Sequence, residues 1–141
     1  MTSHAQTEGR FSILPETECY ELLSTTTVGQ VAFVNGDGLQ LIPLNFAVID
    51  SEIYFRTAID SVLDGLAQGN DDVAFGVDHH SQLYRDGWNV TVKGATARVS
   101  DPALYERVMS WSRLHPWAGG VRGVVVHLSP RSVEGRRVHG S

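Results

Sequence analysis

The sequence predicts a mainly β fold, a small antiparallel barrel with accessory helices, and three observations carry that expectation. Short runs of strand-forming residues follow one another across strong turn signals: Val28–Val34 leads through Asn35-Gly36-Asp37-Gly38 into a second run from Leu39, the pattern of a hairpin. Farther on, Trp88, Val90 and Val92 share one face of a long strand whereas Ala95, Ala97 and Val99 share the other. That change of phase falls at Gly94, as a bulge or bend would produce where a long strand closes a barrel. Helical patterns are confined to short stretches near the start, the middle and the late part, so they read as accessories to about six strands.

Taken in order, residues 1–10 are polar and aperiodic and read as a disordered tail, with residues 11–141 forming one domain. Pro15 suits the first position of a helix, Glu16 and Glu18 its first turn, and Cys19, Leu22 and Leu23 one face, which makes Cys19 a small buried hydrophobe. The second strand runs to Ile49 with Pro43 inside it. Proline cannot donate to a ladder, so the backbone near Pro43 is expected to be unpaired on one side. A tight turn at Asp50-Ser51-Glu52 leads to a strand over Glu52–Thr57, then a helix from Ser61 to about Gln68, stopped by Gly69-Asn70. A strand over Asp72–Asp78 precedes a polar loop from His79 to Gly87. Asp101 caps and Pro102 opens a late helix carrying Leu104, Val108 and Trp111 on one face, and Val124–Leu128 and Val133–Val138 read as two final strands. His127, inside the apolar run, reads as a satisfied core histidine.

Composition excludes several classes. Lys+Arg of 11 against Asp+Glu of 16 gives a net charge of -5, with no basic run beyond Arg136-Arg137, which argues against a nucleic-acid surface. A single cysteine can form neither an internal disulfide nor a thiolate zinc site and suits a reducing compartment. No apolar run approaches the roughly 20 residues of a membrane span, and MTSHAQTEGR lacks the apolar core of a signal peptide, so a cytoplasmic protein is expected. The adjacent His79-His80 carries no metal-ligand spacing, and no metal site is expected.

The richest stretch is Leu41 to Leu63. Arg56 offers a fixed fork of donors suited to a phosphate, Thr57 and Ser61 add hydroxyls, and a helix N-terminus there would add free N–H groups. The same Thr, Asp and Ser also serve as helix caps, so an anion site and ordinary capping both stay open.

The ordered series Glu18-Cys19 with Leu22-Leu23, Val28-Gly29-Gln30-Val31-Ala32-Phe33, Pro43-Leu44-Asn45-Phe46, Phe55-Arg56-Thr57 and Val73-Ala74-Phe75 with Asp78 resembles the pyridoxamine 5'-phosphate oxidase-like family. Gly87-Trp88-Asn89-Val90 with Gly94, Pro116-Trp117 and Gly135-Arg136-Arg137 continue the likeness. The resemblance implies an FMN-binding split β-barrel, a homodimer with the cofactor in clefts at the interface, and a small-molecule substrate. It implies that the backbone of Pro43, Leu44 and Asn45 lines the flavin ring, that Arg56, Thr57 and Ser61 hold the ribityl phosphate, and that Trp88 approaches the ring, from the partner chain. Relatives that bind FMN commonly carry a basic residue directly after that serine, where this chain has Val62, and glycine before it, where this chain has Asp60.

Two functions follow. The first is an oxidoreductase using FMN, or a deazaflavin in its place, with no catalytic side chain identified, since the cofactor carries the chemistry. The second is a non-catalytic binding protein that keeps the barrel and has lost tight FMN binding, for which Val62 and Asp60 speak.

Overall fold

The computed structural model describes residues 10–58, 62–83, 85–110 and 123–139. Its strands are β1 (Arg10–Leu14), β2 (Val28–Asn35), β3 (Gly38–Ile49), β4 (Glu52–Thr57), β5 (Asn70–Ser81), β6 (Asp86–Arg98) and β7 (Val124–His139). The helices are α1 (Glu16–Leu23), α2 (Asp64–Ala67) and α3 (Pro102–Met109). The sheet order is β1-β7-β4-β3-β2-β5-β6, all antiparallel, and β6 pairs again with β7, so six strands close a ring to which β1 is appended. One edge of β7 is zipped to β6, whereas the other pairs with β4 at 124–128 and with β1 at 135–139. Between those ladders β7 has no strand on that edge among the described residues, and there the barrel is split.

Alternation fills the interior. Val31, Phe33, Phe46, Ile53, Phe55, Phe75, Val90, Val92, Val126 and Leu128 all point into one cluster, where the Phe46 and Phe75 rings meet edge to face at 4.8 Å. Helix α1 adds Cys19 and Leu23 to that cluster, and Cys19 is fully buried as expected. Helix α3 packs outside the barrel, where Val108 joins Ala47, Ile49, Tyr54, Val99 and Val125. Its cap matches expectation, with the Asp101 carboxylate accepting the Ala103 N–H at 3.3 Å and Pro102 in the first turn.

The bend at Gly94 is present as a register shift against β7 that leaves Arg131 as the extra residue, and a side chain at Gly94 would collide with the Ser129 carbonyl. The expected change of phase along β6 does not occur, because the extra residue lies on β7: Val90, Val92, Gly94 and Thr96 all face inward, with Thr96 donating to the Leu66 carbonyl at 2.8 Å, and Val99 is buried on the outer face because α3 covers it.

Several boundaries differ from the sequence expectation. Helix α2 covers only Asp64–Ala67, not Ser61 to Gln68, because Gly65 weakens it and Gly69, at φ +106°, ends it. The supposed loop from His79 to Gly87 is largely ladder, with His79 paired to Trp88 and His80 to Gly87. This end of the hairpin runs past the main core, so neither face shows the apolar alternation that marks a strand. The two final strands are one, Val124–His139, and β1 arises from a stretch with no strand signal beyond Phe11 and Ile13. His127 faces outward rather than into the core. Residues 1–9 of the expected tail, Ser61, Tyr84, Trp111 and Trp117 lie outside the described residues, and Arg10 opens β1.

Candidate functional site

Strand β3 changes neighbours along its length. It pairs with β2 over Gly38–Asn45 and with β4 only over Phe46–Ile49. The Phe46 N–H donates to the Thr27 carbonyl at 3.0 Å. The two-residue period of an antiparallel ladder then turns the backbone groups of Leu44 and Ile42 toward β2 and those of Asn45, Pro43 and Leu41 toward the opposite edge. Among the described residues no strand meets that edge. Proline at 43 therefore loses no ladder bond, which is why β3 tolerates it.

Register brings the phosphate candidates to the same place. Phe46 faces Phe55 across the β3–β4 ladder, so the next positions outward are Asn45 and Arg56. Pro43, Leu44 and Asn45 thus adjoin Arg56 and Thr57 at a corner where one strand edge runs free past the end of another. Leu44 points inward and is buried, while Asn45 and Arg56 are half-buried.

The corner is fixed from behind by Thr57 and by residues without a functional expectation from the sequence, Gly123, Tyr105, Leu66 and Thr96. Thr57 is buried and its hydroxyl donates to the Ala58 carbonyl at 3.3 Å. Gly123 packs so closely on the Thr57 carbonyl that a side chain would overlap it, and the Tyr105 hydroxyl donates to the Gly123 carbonyl at 2.7 Å. Beyond the corner, Leu66 is a fully buried plug whose carbonyl accepts from both Thr96 and Gly69. A glycine heading an apolar run is a faint signal in sequence; a threonine at an inward position of β6 is the clearer one.

Among the described residues the helix expected here is a single turn. A four-residue α2, opening at Asp64, offers no dipole or set of free N–H groups comparable to a full helix. Val62 is 46% exposed, an apolar side chain on the surface.

Trp88 does not reach the corner of its own chain. It pairs with Arg137, whereas Arg56 pairs with Val125, twelve residues earlier on β7 and so roughly 40 Å away along the strand. Within one chain the two residues lie toward opposite ends of β7.

On the outer face beside the corner, Tyr54 stacks on His127 with centroids 5.0 Å apart. His127 Nε2 lies 2.5 Å from Glu52 Oε1, and the Ser129 hydroxyl lies 3.4 Å from Nδ1. The ring is held at both nitrogens and ties β4 to β7. Burial, and then the Glu52 carboxylate, push the Tyr54 hydroxyl above its usual range, so it stays protonated at neutral pH.

The family profile described as pyridoxamine 5'-phosphate oxidase matches residues 15–137, most of the chain and every element of the closed ring. The chain belongs to the pyridoxamine 5'-phosphate oxidase family. Among its relatives is the uncharacterized protein Rv0080 of Mycobacterium tuberculosis, 31% identical over 130 residues that span 89% of this chain and 84% of the relative. Two solved structures share the architecture. The FAD binding protein from Mycobacterium smegmatis superposes with a TM-score of 0.77 at 30% identity, covering 91% of this chain and 98% of its own. A conserved protein of unknown function from Corynebacterium diphtheriae gives 0.74 at 28% identity, with 93% and 98% covered. The pyridoxamine 5'-phosphate oxidase fold, a split barrel, is therefore the architecture of this chain.

Proposed function

We propose that the β3–β4 corner holds a flavin-type cofactor and that the protein is an oxidoreductase acting on a small molecule. The observation that carries this reading is the free β3 edge meeting Arg56. The ring edge of a flavin needs backbone donors and acceptors in a row, for which Leu41 and Asn45 offer an N–H and a carbonyl each and Pro43 a carbonyl alone, while the ribityl phosphate needs a guanidinium at one end, which Arg56 offers. When bound, the cofactor supplies the hydride chemistry; the chain supplies binding, orientation and exclusion of water. The M. smegmatis relative, described as FAD binding, supports a flavin in general. FMN and FAD share the phosphate that Arg56 would meet, and a deazaflavin presents it too.

The active unit in this proposal is a homodimer in the cytoplasm, with the cofactor cleft at the interface. The outer face of β2, β3 and β5 exposes Val28, Val34, Leu39 and Leu41 around the small residues Ala32, Ala74 and Gly76. A largely apolar face flanking the free edge, with Gln30 between Val28 and Ala32, suits a second copy of the chain. Leu41→Asp should then convert a dimer into a monomer by light scattering; a wild-type monomer at micromolar concentration refutes this part.

Titration of the purified protein with FMN, FAD and a deazaflavin, followed by absorbance, tests the cofactor reading. Arg56→Ala should weaken binding roughly tenfold to a hundredfold, the worth of a charge-assisted hydrogen bond. No binding of any of the three by wild type sinks it. One observation favours a second reading, a non-catalytic binding protein: Val62 sits exposed where a cation would reach a phosphate. In that case Val62→Lys should create flavin affinity that wild type lacks.

A further inference from the structure

The far end of the hairpin β5–β6 borders an open cleft of about 530 Å³ that the corner does not use. Four aromatic rings line it: Phe11 from β1, His79 and His80 from β5 and Trp88 from β6. His79 and Trp88 face one another with centroids 6.1 Å apart, and the Arg136 guanidinium lies 5.3 Å from the centre of the Phe11 ring. Arg85 joins the wall from the turn, held in a left-handed backbone at φ +53°. Among the described residues neither Arg85 nor Arg136 has a carboxylate within ion-pair distance, although Asp78 and Asp86 also line the cleft.

Each group asks for a different feature of a ligand. The rings offer faces to a planar aromatic, the guanidinia offer forks to an anion, and the two carboxylates accept from ring amino groups while repelling a bare anion from their side. A volume of this size lies within the ordinary range for small-ligand sites, roughly 300–1,000 Å³. We propose that this end of the barrel is a second ligand site, which takes an amino-substituted planar heteroaromatic bearing a phosphate, the chemistry of an adenylate. Such a group has two sources: a free adenylate-like ligand, or the adenylate half of FAD reaching across from the corner of a second copy. The second source rests on the flavin reading; the first does not.

Calorimetric titration with AMP, adenosine and inorganic phosphate tests the site on the full chain. AMP should bind more tightly than adenosine or phosphate alone. Arg136→Gln, an exposed position, should weaken AMP roughly tenfold or more and leave adenosine little changed. Trp88→Leu, verified as folded by its unfolding transition, should weaken both, and Arg56→Ala should leave AMP binding intact. FAD binding tighter than FMN, with the gap closed by Arg136→Gln, assigns the site to FAD; equal affinities with AMP binding retained assign it to a separate ligand. AMP binding with no flavin binding overturns the flavin reading and keeps this site. No AMP binding up to about 5 mM, or binding lost in Arg56→Ala and kept in Arg136→Gln, overturns the second site.

Discussion

Gly135 should be intolerant of even one added carbon, and the reason can be isolated by a second substitution. A Cβ there would lie 2.5 Å from Cys19 Sγ, 3.2 Å from Leu14 Cδ1 and 3.3 Å from the Asn89 carbonyl oxygen. Cys19 is fully buried on α1, a helix packed against the barrel, and cannot swing into solvent. Gly135→Ala alone should therefore destabilise by about 1–3 kcal/mol, the usual cost of overpacking. Cys19→Ala removes the sulfur and leaves a small void, at about 1–2 kcal/mol. Together the two changes exchange one atom for another in nearly the same space, so the double variant should recover roughly 1–2 kcal/mol relative to additivity. It will not recover everything, because Leu14 and the Asn89 carbonyl still crowd the new methyl. Urea unfolding of the four proteins, with midpoints compared at constant slope, measures the coupling. Strict additivity would show that α1 does not pack on β7 through this contact.

Thr96→Val keeps shape but deletes the 2.8 Å bond to the Leu66 carbonyl, which retains only the Gly69 N–H at 3.2 Å; a loss of about 0.5–1.5 kcal/mol is expected, and flavin affinity at the corner should fall with it while Thr96→Ser preserves that affinity. Differential scanning calorimetry with the flavin titration reads both, and an unchanged melting temperature refutes the anchoring. Ser51 sits at φ +62° beside Asp50 at φ +53° in the two-residue turn between β3 and β4, so Ser51→Gly should relieve left-handed strain and stabilise by about 0.5–1 kcal/mol, read as a raised unfolding midpoint. Burial, then Glu18 and Glu16, raise the Cys19 thiol above its ordinary 9.0, so above that pH the unfolded chain binds fewer protons than the folded one and stability should fall as pH rises. Urea midpoints from pH 7 to 10.5 should show less of that decline in Cys19→Ala; parallel curves refute it.

Much of the architecture is written locally. The Asn35-Gly36-Asp37-Gly38 turn and the Asp101-Pro102 helix start each depend on backbone preferences of a few adjacent residues, and both stand where the chain order puts them, whereas Gly94 is required by the Ser129 carbonyl of β7. The strands whose two faces meet different surroundings, Val28–Asn35 and Glu52–Thr57, are legible for the same reason. Pro43 carries a deeper message in one residue, because a proline inside a strand requires an edge where no hydrogen bond is asked of it.

What only the tertiary structure decided is where that edge leads and what stands beside it. The side of β3 left open follows from where β4 stops pairing, a register that the residues from Pro43 to Thr57 along the chain cannot announce. The anchoring of the corner by Gly123, Tyr105 and Thr96 joins residues far apart in sequence. Likewise, the length of β7 sets Trp88 and Arg56 apart within one chain, a separation that their order in the sequence does not announce. The polar ladder from His79 to Gly87 escaped notice because strand periodicity marks a boundary between core and solvent, and this end of the hairpin runs beyond that boundary. Sequence thus determined which segments are strands and turns, since those are local choices of φ and ψ; the fold determined which of their edges and side chains meet, since that depends on register and closure of the whole ring.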